Sequence, residues 1–259
     1  MQRVLFHSTV FGPIHSRRLG TSLGINLSPN DGKICSFDCL YCEAGFNAQG
    51  VGTTGFPTVE GVLTQLEQKL QAMHQAGEQL DVITFSGNGE PTMHPRFNEI
   101  VEGVIALRDK YVPQASISVL ANSTMLGREE VVAALRKVDN PILKMDSAID
   151  ETIRLVDRPN SHEFTAARLV EWLKKFGNQA IIQTMILRGE VDGRKIDNTT
   201  DAEVDAMIDA LMQINPRQVM LYSIDRATPY ERVEKVERWE MDLIAQRMRA
   251  AGIKDVTVS

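Results

Sequence analysis

The sequence is poor in cysteine, with three in 259 residues, and has no excess of positive charge: 28 Lys and Arg stand against 34 Asp and Glu, a net charge of −6. A small, odd cysteine count excludes a disulfide framework, which needs pairs and an oxidising compartment. The acidic balance disfavours a protein that holds nucleic acid mainly by neutralising phosphates, tRNA included, although a local basic patch stays open. No apolar run reaches the ~18 residues of a membrane span, and the opening MQRVLFHSTVFGPIHSRRLG has no signal-peptide core, so a cytoplasmic chain without membrane contact is expected. The sequons at Asn26, Asn122 and Asn198 are then chance matches, since that signal has meaning only on secretion. There is also no repeat, no low-complexity tract and no linker rich in Gly, Ser or Pro. With 43% hydrophobic residues, the chain is expected to be one domain over 1–259: an extension over 1–22, a barrel core over 23–228, and a C-terminal helix and strand over 229–259.

What cysteine there is, is concentrated. Cys35, Cys39 and Cys42 all lie in CSFDCLYC. A redox pair of Cys39 and Cys42 leaves Cys35 unexplained and lacks the usual strand-then-helix setting. Two metal readings remain. Structural zinc would add a fourth ligand from His7, His15, His74, His94 or His162. An iron–sulfur cubane normally takes four thiolates, so three leave one iron open to bind a small molecule directly.

The hydrophobic pattern mounts this loop on an alternating fold. Gly24 to Leu27 reads as a strand, and the turn signal Ser28 to Gly32 leads into the cysteines. Helices are expected over 58–76, 97–110, 129–138, 162–176, 201–213 and 234–251. Strands are expected over 81–86, 116–121, 142–146, 180–187, 218–224 and 256–258. Six βα units with nearly continuous apolar strands indicate a parallel sheet covered by helices, either open or a partial barrel. The stretch GVGTTGFP, 50–57, is either a lid or a plain surface loop.

In such folds ligands bind beyond the carboxyl ends of the strands, and the residues there are polar. They are the three cysteines, then Ser86-Gly87-Asn88-Gly89-Glu90-Pro91-Thr92, Asn122-Ser123-Thr124, Asp146-Ser147, Arg188 and Asp225-Arg226. SGNGEPT is not a dinucleotide fingerprint, because Thr92 replaces the third glycine and Glu90 stands where pyrophosphate would approach. Glycines on both sides of Asn88 allow close backbone approach, and a carboxylate beside carbonyls favours an ammonium group. The competing reading is a tight turn with Glu90 in solvent.

The C-x3-C-x2-C of Cys35, Cys39 and Cys42, with Tyr41 before the last cysteine and a later strand ending in GNGEP, resembles the radical S-adenosylmethionine (SAM) superfamily. VFGPIHSRRLGTSLGINLSP, FSGNGEPTMHP, LKMDS with DRPN, and LYSIDRATP further resemble its branch of iron–sulfur oxidoreductases that includes wyosine-type tRNA-modifying enzymes. The resemblance implies a partial (β/α)6 TIM-like barrel of parallel strands. It implies a [4Fe-4S] cluster on Cys35, Cys39 and Cys42, with the amino and carboxylate groups of SAM on the fourth iron. Gly87, Asn88, Gly89 and Glu90 would bracket the methionine ammonium. Asn122, Lys144 and Asp146 would be candidates for carboxylate and ribose contacts, and Tyr41 and Gln183 for the adenine. Lys144 departs from the small polar residue that relatives often carry. An external one-electron reductant of flavodoxin or ferredoxin type would drive cleavage of SAM to a 5′-deoxyadenosyl radical, which abstracts a substrate hydrogen atom.

The missing cysteines narrow this further. No second cluster can be ligated by cysteine, which disfavours sulfur donors and departs from the wyosine-forming enzymes. The substrate is left as a small molecule, a nucleoside or a peptide. Alternatives are a glycyl-radical activase of a partner protein, a tRNA modifier and, outside enzymology, a zinc-binding module. Arg17-Arg18 either binds an anion or pairs with Asp31, Asp38 or Glu43. Arg158-Pro159-Asn160 either faces substrate or marks a helix start. Asp225-Arg226 is either functional or an ion pair, and Tyr222 either relays an electron or packs. His94 is expected to be a loop residue and not a ligand.

Overall fold

The computed structural model describes residues 3–16 and 20–259. Strand β1 (Val10–Ser16) runs antiparallel to β2 (Gly20–Ile25). Then follow α1 (Val59–Ala76), β3 (Val82–Phe85), α2 (Phe97–Tyr111), β4 (Ser116–Ala121), α3 (Glu129–Leu135) and β5 (Asn140–Lys144). After these come α4 (Asp150–Val156), α5 (Ala166–Lys174), β6 (Ile181–Val191), β7 (Arg194–Asp197), α6 (Asp201–Ile214) and β8 (Gln218–Ser223). The chain closes with β9 (Val233–Lys235), α7 (Arg238–Ala250) and β10 (Val256–Val258).

The main sheet has the order β1-β2-β3-β4-β5-β6-β8-β10, and every neighbour from β2 onward is parallel. This is the expected α/β fold of parallel strands with helices between them. The reason lies in the strands: all four residues of β3 are buried, as a strand covered on both faces requires. Leu23, Ile25, Ile83, Phe85, Val119, Leu143 and Val219 form one core with helix residues such as Val62, Leu66, Leu70, Ile100 and Leu173. The helices start where the sequence supplies a cap. Thr58 Oγ1 accepts from Gly61 N, and Thr165 and Thr200 cap α5 and α6 in the same way. Gly77, in the left-handed conformation, stops α1.

Several boundaries differ from the sequence reading. The first parallel strand begins at Gly20, where Asp81 Oδ2 accepts the Thr21 N–H and fixes the register with β3. Helix α5 starts at Ala166 and not at 162, because Thr165 is the capping residue. The expected helix over 234–251 begins only at Arg238. Its first residues instead form β9, antiparallel to an extension of β6. Strand β7 pairs with the same extension, so β6 continues four residues past its expected end as the centre of a small ribbon. Helix α4 was missed because it buries only Ile153 and Val156, too few for a period to show.

Candidate active site

The loop that carries the cysteines is held from both sides. Toward β3, the Asn26 carboxamide accepts from Ser28 N and Asn88 N at 3.1 Å each, tying the turn before the loop to the segment after β3. Ile34 forms a bridge with Gly89, and Glu90 N donates to Ile34 O at 3.0 Å. The glycines make this approach possible: a Cβ on Gly89 would lie 1.9 Å from Ile34 O, and one on Gly87 2.3 Å from Asn26 Oδ1. Toward α4, the Asp38 and Leu40 N–H groups donate to the carbonyls of Asp157 and Val156 at 2.9 and 3.0 Å. Asn160 N donates to Ser36 O at 2.9 Å, and Asn160 Nδ2 to Cys35 O at 3.1 Å. From beneath, Lys33, 1% exposed, donates from Nζ to Gly45 O at 2.8 Å and to Asp38 Oδ1 at 3.3 Å.

The strand ends of β4 and β5 present N–H donors to the sulfurs. Asn122 Nδ2 lies 3.5 Å from Cys35 Sγ and 2.9 Å from Ser36 Oγ. Lys144 Nζ lies 2.9 Å from Cys39 Sγ, 2.6 Å from Asp157 Oδ1 and 3.2 Å from Asp146 Oδ2. Burial pushes the Cys35 thiol up to about 11, with Glu90 adding to it and Lys33 opposing. Burial likewise raises Cys39, and the Lys144 ammonium pulls it down. Burial works against the charge on Lys144, but Asp146, Asp157 and Cys39 outweigh it and keep the ammonium protonated. Asp157 is raised by burial despite Lys144 beside it. Tyr41 donates its hydroxyl to Asp146 Oδ2, while Asp146 Oδ1 accepts from Met185 N at 2.9 Å.

Tyr41, Asn122, Lys144 and Asp146 are therefore brought together around the sulfurs. Glu90 is not in solvent but 3% exposed: it accepts from Thr92 through Oε1 and from Asn122 N at 2.6 Å through Oε2. Burial raises this carboxyl, and those donors pull it back. Asn88 turns its side chain away, exchanging two 2.8 Å hydrogen bonds with the Phe6 backbone and donating to Pro29 O at 2.8 Å. Gln183 lies within β6 in register with Lys144 and Met220, its carbonyl accepting from Met145 N at 3.0 Å. A cavity of about 400 Å³ opens instead at the end of β8 beside the middle of β6, lined by Tyr41, Met185, Tyr222, Asp225, Arg226 and Arg238 among others.

Sequence reasoning missed Asp157 and the buried Lys33 as neighbours of the thiols. Of the two readings of Arg158-Pro159-Asn160, the helix start does not hold, and the contacts of this segment are to the backbone of the cysteine loop. Pro159 does not start a helix, since α5 begins seven residues later. Arg158 sits over the rings of Phe46 and Tyr230 at 5.8 and 5.6 Å. Asp225 and Arg226 do not pair with each other: Arg226 reaches Glu43 at 2.6 Å and Asp225 reaches Lys235 at 3.8 Å. Arg188, expected after the strand, lies within the longer β6 and reaches Glu240 at 2.6 Å and Thr199 at 3.1 Å. Arg17 and Arg18 lie outside the described residues. Asp31 fastens the 50–57 loop by accepting from the N–H and hydroxyl of both Thr53 and Thr54 at 2.7 to 3.2 Å, and these bonds hold its carboxyl below the usual range. His94 is buried, with Nε2 2.8 Å from Pro57 O and Nδ1 accepting from Arg96 N.

The donor set suits an iron–sulfur cluster. All three cysteines are free thiols on one short loop, and thiolates are the ligands such clusters take, one per iron. Among the described residues no three His, Cys, Asp or Glu side chains close on the distances of a single ion. The Lys144 ammonium donates to Cys39 Sγ, and the buried Lys33 ammonium, bonded to Gly45 O and Asp38, adds a second positive charge near the loop, which favours thiolates there. No helix of the described residues is long and apolar enough to cross a membrane.

Comparison with known proteins gives the same answer. The model of the family described as "Radical SAM superfamily" matches residues 30–202. The UPF0026 protein slr1464 of Synechocystis is 31% identical over 230 residues, 86% of this chain and 78% of that protein. Some curated relatives are much longer, and of one of them the chain spans only 32%. A solved radical SAM methyltransferase from Sphaerobacter thermophilus superposes with a TM-score of 0.68 at 17% identity, over 92% of this chain and 65% of that one. The structure of TYW1 with a lysine-pyruvate adduct bound superposes with a TM-score of 0.60 at 12% identity, over 90% of this chain and 75% of that one. Both solved structures share the fold, the partial TIM barrel of radical SAM proteins.

Proposed function

The chain belongs to the radical SAM superfamily, whose members use a [4Fe-4S] cluster and SAM, and on that premise we propose that it is a radical SAM enzyme with one cluster, on Cys35, Cys39 and Cys42. The observation that carries this reading is the loop itself: three free thiols, pinned by Gly89 on one side and by Asp157 to Asn160 on the other, with N–H donors aimed at two of the sulfurs. When bound, the cluster supplies the electron that cleaves SAM, and the radical released takes a hydrogen atom from the substrate.

The rest is positioning by this chain. The segment Gly87 to Glu90 lies against the cysteine loop and offers backbone close to it, which suits the methionine end of SAM. Glu90 shapes that segment through Thr92 and Asn122 N. Asp146 orients Tyr41, and the cavity beside Tyr41, between β6 and β8, has the size for a nucleoside. This moves the adenosyl group from Gln183 to the neighbourhood of Tyr41, Met185 and Tyr222. Phe37 and the core it joins bury the Cys39 thiol, while Cys35 and Cys42 stay partly open, as a site that admits SAM needs. The electron comes from an external one-electron donor of flavodoxin or ferredoxin type. The substrate is a small molecule, a nucleoside or a peptide. The net charge of −6 and the lack of cysteines for a second cluster weigh against a wyosine-type reaction on tRNA.

The test is anaerobic reconstitution with iron and sulfide, followed by dithionite and SAM without added substrate. Slow release of 5′-deoxyadenosine is expected by chromatography. A protein that takes up zinc, stays colourless and releases none would overturn the proposal.

A further inference from the structure

Lys144 ends β5 and is 11% exposed by its side chain, in the middle of the site. An ammonium has three N–H donors, and here all three have acceptors: Cys39 Sγ at 2.9 Å, Asp157 Oδ1 at 2.6 Å and Asp146 Oδ2 at 3.2 Å. The rings of Phe37 and Tyr41 cover it at 5.0 and 4.8 Å, so the stem cannot swing away without uncovering them. Asp146 is fixed in turn by Tyr41 and by Met185 N. Lys144 is thus a charge locked against one ligand sulfur, with no donor left for the carboxylate of a bound SAM.

We propose that Lys144 is a positioning residue that hydrogen-bonds the Cys39 sulfur and thereby raises the reduction potential of the cluster held there. The inference rests on the cluster reading above and adds to it. One-electron reduction adds one negative charge, which comes from the external reductant, is shared between the irons and their sulfurs, and breaks no protein bond. A fixed ammonium and an N–H···S bond stabilise that added charge more than they stabilise the oxidised state. The effect is large because the pair is buried, where charges interact several times more strongly than in water. Asp157 and Asp146 keep the ammonium charged and aimed. Asp157 Oδ1 also lies 3.7 Å from Cys39 Sγ, but the ammonium, at 2.9 Å, is the nearer charge and the one that donates to the sulfur.

The experiment compares wild type, Lys144→Gln, Lys144→Met and Lys144→Arg after anaerobic reconstitution. Iron and sulfide are counted, and the cluster is titrated with a reductant by electron paramagnetic resonance, without SAM. Both neutral variants are expected to hold wild-type iron but to need a more reducing potential. A tenfold loss in the reduction equilibrium, about 59 mV for one electron, is the scale to look for. Lys144→Arg keeps the charge and should stay nearer to wild type. An unmoved midpoint in the neutral variants overturns the proposal, and weaker SAM binding alongside it would assign Lys144 to SAM. Failure of both neutral variants to take up iron also overturns it, because Lys144 would then serve assembly. A wild-type protein that takes up no cluster would sink the cluster reading itself, a separate outcome.

Discussion

The two halves of the barrel use their strand ends differently. Beyond β2, β3, β4 and β5, the polar side chains are spent on one another and on the cysteine loop: Asn26 on Asn88 N, Glu90 on Asn122 N, Asn122 on Ser36, Lys144 on Cys39 and Asp157. At the end of β8, beside the middle of β6, lies a cavity of about 400 Å³, whose charged rim is tied by exposed pairs such as Arg226 with Glu43. The first half is built like a mount, where these side chains hold one another and the cysteine loop. The second is built like a receptacle. Preorganisation belongs where a cofactor must sit in one place, and open volume where a ligand must enter.

Substitutions on the mount should therefore damage cluster uptake or stability, and those on the receptacle should spare cluster uptake. The largest effect is expected from replacing Cys35, Cys39 or Cys42 with Ala: iron content should fall to near zero while far-ultraviolet circular dichroism keeps the αβ spectrum. Next is Gly89→Ala, whose Cβ would meet Ile34 O at 1.9 Å. The backbone must part there, at a cost of about 1–3 kcal/mol, read as a lower melting temperature and a looser cluster. Asn160→Ala removes the side-chain bond to Cys35 O and should cost about 1 kcal/mol with slower cluster assembly. On the other half, Met185→Ala should weaken SAM binding in equilibrium dialysis while leaving iron content unchanged. Smallest is Arg226→Ala, which removes an exposed ion pair and should change stability by less than about 1 kcal/mol. Loss of iron in the Met185 or Arg226 variants would erase the distinction between the halves.

The mount was also the more legible half in the sequence. Three cysteines within one short loop and two glycines around Asn88 are local signals, and the apolar strands announced the parallel sheet. What Asn88 does was not legible, because its partners are the Phe6 backbone and Pro29, distant in sequence and carrying no side-chain signature. The backbone clamp from Val156 to Asn160 was hidden for the same reason: a main-chain bond leaves no mark on residue type. Asp157 could have been found, since an acid directly before Arg-Pro-Asn in an otherwise apolar helix end needs a partner. The ribbon that β7 and β9 make with β6 leaves little trace in the sequence, because β7 and β9 are short and charged and their hydrophobic alternation is weak. Gln183, which the resemblance suggests for the adenine, does not line the cavity, whose nearest residue on the same strand is Met185, two positions further along.

If Cys35, Cys39 and Cys42 hold a four-iron cluster with one iron open to SAM, electron paramagnetic resonance of the dithionite-reduced, reconstituted protein, recorded before and after adding SAM, will show it. A [4Fe-4S]+ signal is expected that changes shape when SAM is added and is lost in each cysteine variant. A cluster signal indifferent to SAM, or one that survives replacement of any of the three cysteines, would contradict it.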